Sequence, residues 1–372
     1  MGNKKNFFYD PNVINVTRTY LPSLKKYQNY VKKIFDSYWL TNNGPMVQEL
    51  EVRLKEFLKV RNIILTCNGT IALQIAYKLL NLEKQVITTP FSFVATTSSL
   101  VFEGYIPFFV DIDSKTFNMK IDEIEKLIEI SNIKSIVGVH VFGNPIDVDA
   151  INKLSEKFNL KIIYDASHCF GVEYNNKSIL EYGNISTLSF HATKLFHTIE
   201  GGAIVTNDDK LAEKVRLYIN FGIKGPEQIE IPGINGKMNE FQAVMGLALL
   251  DDINLILEKK AEIYMYYKKK LESYVQFQEL NPKMTKYNYS YFPIILKEEK
   301  DVLEVIKRLN ELNINPRRYF YPSLDTLNYI EPKQFCRTSR EIASRILCLP
   351  IFPSLEKEVK NKIIETVKEV VK

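Results

Sequence analysis

Asp165 and Lys194 stand where charged residues can do chemistry. Asp165 closes the apolar run Ile162-Ile163-Tyr164, and Lys194 follows the run Ser186-Thr187-Leu188-Ser189-Phe190 by way of His191-Ala192-Thr193. Apolar runs of this length read as buried strands. An acid at the end of one core strand and a lysine just past the next face each other across a sheet edge, and ligand crevices form at the carboxyl ends of strands in open α/β sheets. A lysine that can form a Schiff base, beside an acid that can partner a pyridinium nitrogen, suits pyridoxal phosphate, whose ring then acts as an electron sink. Taken singly, each residue has a plainer reading. An Asp after a strand is most often a cap or turn residue, and a Lys there is usually solvated.

The elements around this pair must position it. Residues 63–66 read as a strand and 71–82 as an amphipathic helix, so Asn68-Gly69-Thr70 falls at a helix N-terminus. Free N–H groups and the dipole favour an anion there, although a cap without a ligand is the commoner case. From residue 85 strands and helices alternate: strand 86–90, helix 93–102, strand 106–112, helix 121–130, strand 135–142, helix 149–158, strand 162–164. That alternation indicates βαβ units, a mainly parallel sheet and helices on both faces. A third short strand, Ala203-Ile204-Val205-Thr206, follows Gly201-Gly202. Residues 241–250 read as a helix continuing to about residue 271. The remainder (strand-like 289–296, helix 302–312, strand-like 316–321) reads as a compact α+β unit, which divides the chain into domains at 1–250 and 251–372. Trp39, the only tryptophan, precedes the Asn42-Asn43-Gly44-Pro45 turn, where packing is its plain role. His140 reads as a buried histidine inside its strand.

Composition narrows the class. The 372 residues are 45% hydrophobic and 25% charged, as in an ordinary globular protein, and the net charge of +5 is spread along the chain. No basic-aromatic module stands out, so a nucleic-acid partner is not expected. No strand is followed by GxGxxG and there is no P-loop sequence, which leaves dinucleotide and nucleotide-phosphate cradles without support. Cys67, Cys169, Cys336 and Cys348 lack metal-binding spacing and read as reduced, buried thiols, with no metal site. Lys4 and Lys5 lead into Asn6, Tyr9, Asp10 and Pro11 rather than an apolar segment, and no run is long enough to span a bilayer. These features lead us to expect a protein of the cytoplasm, away from membranes.

Taken together, DASH at 165–168, LSFHATK at 188–194 and EGGAIVTND at 200–208 resemble the core signature of the DegT/DnrJ/EryC1/StrS aminotransferases. The resemblance runs from about residue 15 to the C-terminus. It implies an α/β fold of the type I pyridoxal phosphate enzymes. That fold has a mainly parallel seven-stranded sheet, with 203–206 its antiparallel member, helices on both faces and a smaller C-terminal α+β domain. It also assigns roles. Lys194 matches the Schiff-base lysine and Asp165 the pyridinium partner. Gly69 and Thr70 match the turn that holds the cofactor phosphate, joined by Ser189. His168 matches a position near the cofactor ring, and His191 supports the lysine loop. An aromatic covers the ring's face, either Phe93 or Phe91. Asn235 matches an asparagine that reaches the phosphate in the neighbouring subunit, implying a homodimer with a composite site. Gly236 and Lys237 depart from the aromatic and arginine usual beside it, and a lysine cannot reproduce a bidentate arginine.

The activity implied is transfer of an amino group from L-glutamate to a nucleotide-linked keto sugar, with pyridoxamine phosphate as intermediate and 2-oxoglutarate as by-product. The N-terminal half most resembles enzymes making dTDP-4-amino-4,6-dideoxyglucose from a dTDP-linked 4-keto-6-deoxy sugar. A 3-keto substrate is the alternative. A non-catalytic regulator carrying the cofactor and an unrelated α/β protein binding a phosphorylated sugar are readings from other classes. Sugar dehydration is disfavoured because Lys194 is present.

Overall fold

A computed structural model describes residues 12–372. The opening stretch on which the absence of a leader was read lies outside them. Seven strands make the central sheet: β1 (Asn62–Thr66), β2 (Gln85–Thr88), β3 (Ile106–Phe109), β4 (Ser135–Val139), β5 (Lys161–Asp165), β6 (Ile185–Ser189) and β7 (Gly202–Thr206). Their order is β1-β7-β6-β5-β4-β2-β3. Strand β7 runs antiparallel to both β1 and β6, and the remaining pairs are parallel. The expected antiparallel member is therefore the one observed. Because β1 to β6 all point the same way, the residues that follow Thr66, Thr88, Val139, Asp165 and Ser189 gather at one edge.

Side chains of successive strand residues enter opposite cores, as the two-residue period requires. Ile63, Leu65, Ile136, Ile162, Tyr164, Leu188, Ala203 and Val205 face α2 (Pro45–Leu58), α5 (Ile121–Ser131), α6 (Val148–Phe158) and α8 (Glu240–Leu250). Ile64, Val86, Val137, Ile163, Ile185 and Ile204 face α3 (Gly69–Leu79), α4 (Val94–Phe102) and α7 (Asp209–Tyr218). Both faces of the sheet are thus covered, which is why its strands read as continuous apolar runs.

A second core lies beyond residue 260. Helix α9 (Ile253–Leu271) begins with Ile253 and Ile256 on the first core and ends with Ile263, Tyr267 and Leu271 on the second. Helices α10 (Glu299–Glu311) and α12 (Lys357–Val371) join it there through Val302, Val305, Ile363 and Val367. They pack with an antiparallel three-stranded sheet of β8 (Gln276–Phe277), β9 (Pro293–Ile295) and β10 (Ile346–Cys348), while α11 (Arg337–Arg345) leads directly into β10. Lys260 is buried where α9 changes cores. Its ammonium donates to the carbonyls of Ser290 and Ile351 at 3.1 and 2.9 Å, and burial pulls its pKa down to about 7.

Three local expectations need correction. The strand drawn over 135–142 stops at Val139, because Phe142 takes φ 59° and the chain turns through a short 3-10 helix at Val141–Gly143. His140 therefore lies past the strand rather than inside it. It is fully buried, stacks on Tyr164 with centroids 4.6 Å apart, and accepts the Ile146 N–H. Burial holds its pKa down to about 3, so the ring is neutral. Residues 316–321 form no strand; Arg317 makes only an isolated bridge to Cys348. Finally, α8 does not continue into α9. Asp251 and Asp252 intervene, accepting hydrogen bonds from Tyr30 and Arg53 and from Tyr20 and Lys26, and aspartate favours such ends over helix interiors.

Candidate active site

The edge where the parallel strands end opens into a cavity of about 340 Å³. Asp165 and Lys194 both line it and so share one enclosure. Asp165 is the last residue of β5 and is buried. Thr96 of α4 donates to its Oδ2 at 2.7 Å, while the hydroxyl and N–H of Ser167 reach Oδ1 at 2.6 and 3.1 Å. Three donors from two elements thus fix the carboxylate. Ser92 Oγ lies 2.7 Å from the Thr96 hydroxyl and ties the threonine to the turn after β2.

Lys194 is carried by a tight turn beyond β6. Its N–H bonds to the His191 carbonyl at 2.8 Å, and the His191 ring meets both the hydroxyl and the N–H of Thr193. The imidazole thus braces the turn. The amine lies 3.4 Å from the Tyr291 hydroxyl, at the loose end of hydrogen bonding. Removal from water pushes the Lys194 pKa below the usual lysine value; the negative charge of Asp165 and the Tyr319 phenol pull the other way without cancelling it. His168, three residues after Asp165, accepts the Phe142 N–H on Nδ1 and lies nearly parallel to Phe320 with centroids 5.8 Å apart. Burial, and then the charge of Lys194, hold its pKa well below the ordinary histidine value, so a neutral ring faces the cavity.

At the other end of the cavity stands the N-terminus of α3. The Asn68 side chain accepts the Ile71 N–H and caps the helix, leaving Gly69 and Thr70 to offer first-turn donors. Gly69 packs against Ser189 so closely that a Cβ on it would sit 2.9 Å from the Ser189 Cβ and 3.1 Å from its Cα. Close approach requires glycine here, and it brings the serine hydroxyl beside the helix end. Of the two aromatic candidates, Phe93 lines the cavity and is about half-exposed, whereas Phe91 is buried against Phe117, Phe142 and Phe320.

Asn235 is the one expected site residue the chain does not bring to this cavity. It is exposed, its backbone bridges Asn220, and its side chain makes no hydrogen bond within the described residues. Lys237 is held elsewhere: its amine donates to Asn220 at 2.7 Å and lies over the Phe221 ring. Gly236 closes against Ile71 and Ile75 of α3, with its carbonyl accepting the Cys67 N–H. Trp39 does not line the cavity. Half its surface is exposed, and its ring edge lies against Gly44.

Sequence reasoning missed Thr96, Ser167, Tyr291, Arg317, Tyr319 and Phe320 as parts of this site. Ser167 had a local signal, since a serine two residues after an aspartate commonly closes on that carboxylate. The others arrive from distant segments and carried none. Among the described residues no group of His, Cys, Asp or Glu is arranged to hold a metal ion.

A profile of the DegT/DnrJ/EryC1/StrS aminotransferase family matches residues 23–368. The chain belongs to this family. It is 43% identical to a dTDP-4-amino-4,6-dideoxy-D-glucose transaminase of Shigella dysenteriae, over 96% of this chain and 99% of that one. A transaminase of the same description from Escherichia coli is 36% identical, over 94% and 96%. Among solved structures, DesI in the presence of its TDP-sugar product superposes with a TM-score of 0.90 at 27% identity, covering 98% of this chain and 94% of that one. The protein is thus an aminotransferase that works with pyridoxal phosphate. Its residues fit the cofactor: the N-terminus of α3 held close against Ser189, a clamped acid, and a desolvated lysine share one cavity.

Proposed function

We propose that this enzyme moves the amino group of L-glutamate onto a dTDP-linked 4-keto-6-deoxy sugar, giving dTDP-4-amino-4,6-dideoxyglucose and 2-oxoglutarate. The observation that carries this reading is the 43% identity to the Shigella transaminase across 99% of that protein's length. Both substrates are small and water-soluble, and no helix of the described residues is long and apolar enough to cross a membrane. We place the reaction in the cytoplasm on the nature of the substrates.

Pyridoxal phosphate, when bound, supplies an electron sink and carries the amino group between the two half-reactions. The chain's own residues do the rest. The Lys194 amine, in the neutral form that burial favours by lowering its pKa, would take the proton from the donor's α-carbon and return it to the cofactor's C4′ carbon. Asp165, held by Thr96 and Ser167, accepts from the ring N–H and keeps that nitrogen protonated. Gly69, Thr70 and Ser189 donate to the phosphate, Phe93 covers one face of the ring, and neutral His168 stands near it. Asn235 completes the phosphate site of the partner subunit in a homodimer. The same proposal divides the chain into a cofactor-binding domain at 1–250 and a smaller domain at 251–372.

The test is to supply the purified holoenzyme with L-glutamate and, in separate reactions, dTDP-linked 4-keto and 3-keto sugars and a GDP-linked 4-keto sugar. NMR then locates the new amine. An amine at C4 of the dTDP sugar is expected. An amine at C3, or turnover confined to the GDP sugar, would overturn the proposed substrate.

A further inference from the structure

The cavity holds one cation that the proposed roles leave without employment. Of its lining residues only Lys194 and Arg317 carry a basic group stronger than histidine, and Lys194 is taken up by the reaction itself. Arg317 is exposed on the open side, with its guanidinium 4.7 Å from the centre of the Tyr319 ring. Its side chain makes no hydrogen bond or ion pair among the described residues. The contrast with the next residue is sharp. Arg318 bonds Glu299 at 2.6 Å and the Ser344 carbonyl at 3.0 Å, and lies over the Tyr321 ring. One arginine of the pair is consumed by the fold, and the other is left facing the cavity.

An unpaired surface arginine is ordinarily just solvated. Three observations set this one apart. Its backbone is locked, because Arg317 and Cys348 exchange N–H···O bonds of 3.2 and 2.8 Å, so the side chain springs from a fixed point beside β10. It belongs to the same cluster as the reacting amine: Tyr319 lies edge-on to Tyr291 with centroids 5.8 Å apart, and the Tyr291 hydroxyl is 3.4 Å from Lys194 Nζ. Of the cavity's acids, Asp165 is held by Thr96 and Ser167, and Glu200 lies 3.5 Å from the His191 ring.

We infer that Arg317 binds the α-carboxylate of the amino donor. This inference rests on the proposed amino-acid-to-sugar reaction and specifies half of it. A carboxylate is the anion a planar guanidinium meets best, through two parallel hydrogen bonds. The donor's α-carboxylate is one bond from the carbon whose proton Lys194 removes, so it must lie in the shell of residues next to the lysine. Arg317 lines the same cavity as Lys194 and is linked to it through the Tyr319 and Tyr291 rings. The diphosphate of a nucleotide sugar is also an anion, but it lies beyond the sugar ring, several bonds from the reacting carbon. Arg317 therefore serves the donor half-reaction and has no counterpart to bind in the keto sugar.

Stopped-flow absorbance of the holoenzyme separates the halves. Pyridoxal-form enzyme is mixed with L-glutamate, and pyridoxamine-form enzyme with the dTDP-linked 4-keto sugar. In R317Q the L-glutamate concentration for half-maximal rate should rise by about 10- to 100-fold, the loss expected for a charged bidentate contact. The sugar half should stay within about twofold, as for a distant surface change. R317K, which keeps the charge but not the fork, should fall between, and it serves the same comparison should glutamine unsettle the fold. An unchanged glutamate dependence in R317Q overturns the inference. So does an equal loss in the sugar half, which would assign Arg317 to the nucleotide diphosphate. A wild-type enzyme that reacts with glutamate but not with the sugar sinks the proposed substrate and leaves the Arg317 result standing.

Discussion

In the proposed reaction Lys194 has to work as a neutral amine. An ammonium has no lone pair with which to take a proton, so the working form is the neutral amine, and the cavity favours it by withholding water. Asp165 opposes this through its charge, yet the net direction is downward. The sign follows. With the folded-state pKa below the free lysine value, the neutral fraction grows as pH rises and saturates earlier than it would in solution. The rate of the glutamate half-reaction should therefore climb with pH and level off below pH 10.5, the ordinary value for a lysine. Lys194→Ala should lose transamination by at least about 1,000-fold, within the range for removing a proton-transfer group that also forms a covalent link. It should also lose the absorption of lysine-bound cofactor while keeping its melting temperature. Added methylamine should restore part of the rate, which replacement of a merely structural lysine would not allow. Wild-type turnover in the alanine variant would remove Lys194 from the mechanism.

Helix α3 and strand β6 meet at Gly69 and Ser189, and the proposed phosphate site depends on how closely they meet. Gly69→Ala tests that contact. A gain in helix propensity of up to about 1 kcal/mol favours the substitution, but less at the first helical position than in a helix interior. Against it, the new methyl would meet the Ser189 Cβ and Cα and, at 3.3 Å, the Leu188 carbonyl, two of which are backbone atoms that cannot swing aside. Overpacking of this kind costs about 1–3 kcal/mol, so it wins. The variant should unfold at lower urea and bind pyridoxal phosphate more weakly, both measurable by titration. A variant with wild-type stability and cofactor affinity would show that the two elements can separate without harm. At this scale the sequence was most readable. Strands β1, β2, β4, β5 and β6, buried on both faces, announced themselves as apolar runs, and Asn68 marked the start of α3. The same apolar signal misled at Val141-Phe142, where a buried turn looks like a buried strand, and at 316–321, where aromatic residues line a cavity instead of a ladder.

Across the whole molecule the limits of sequence reading become physical. Asp165 and its DASH neighbours carry their partners within a few residues, so that end of the site was legible. Thr96 reaches Asp165, and Tyr291 and Arg317 reach the cavity, from segments distant in the chain, and no local pattern records such an approach. Asn235 extends the point past a single chain. Its exposed side chain has no partner among the described residues, and the proposed dimer gives it one in the other subunit's phosphate site. Loss of a hydrogen bond to a charged group makes Asn235→Ala slower by about 10- to 100-fold, and Lys194→Ala is inert. Mixing the two variants under conditions that let subunits exchange then distinguishes the arrangements. If Asn235 serves the partner, each mixed dimer has one site with both defects and one with none. With random exchange, activity should rise to about a quarter of wild type, well above the sum of the separate variants. If Asn235 serves its own chain, each site of a mixed dimer carries one defect and no activity is gained. Sedimentation of the mixture, which reads dimers directly, keeps a failure to exchange from passing for the second result.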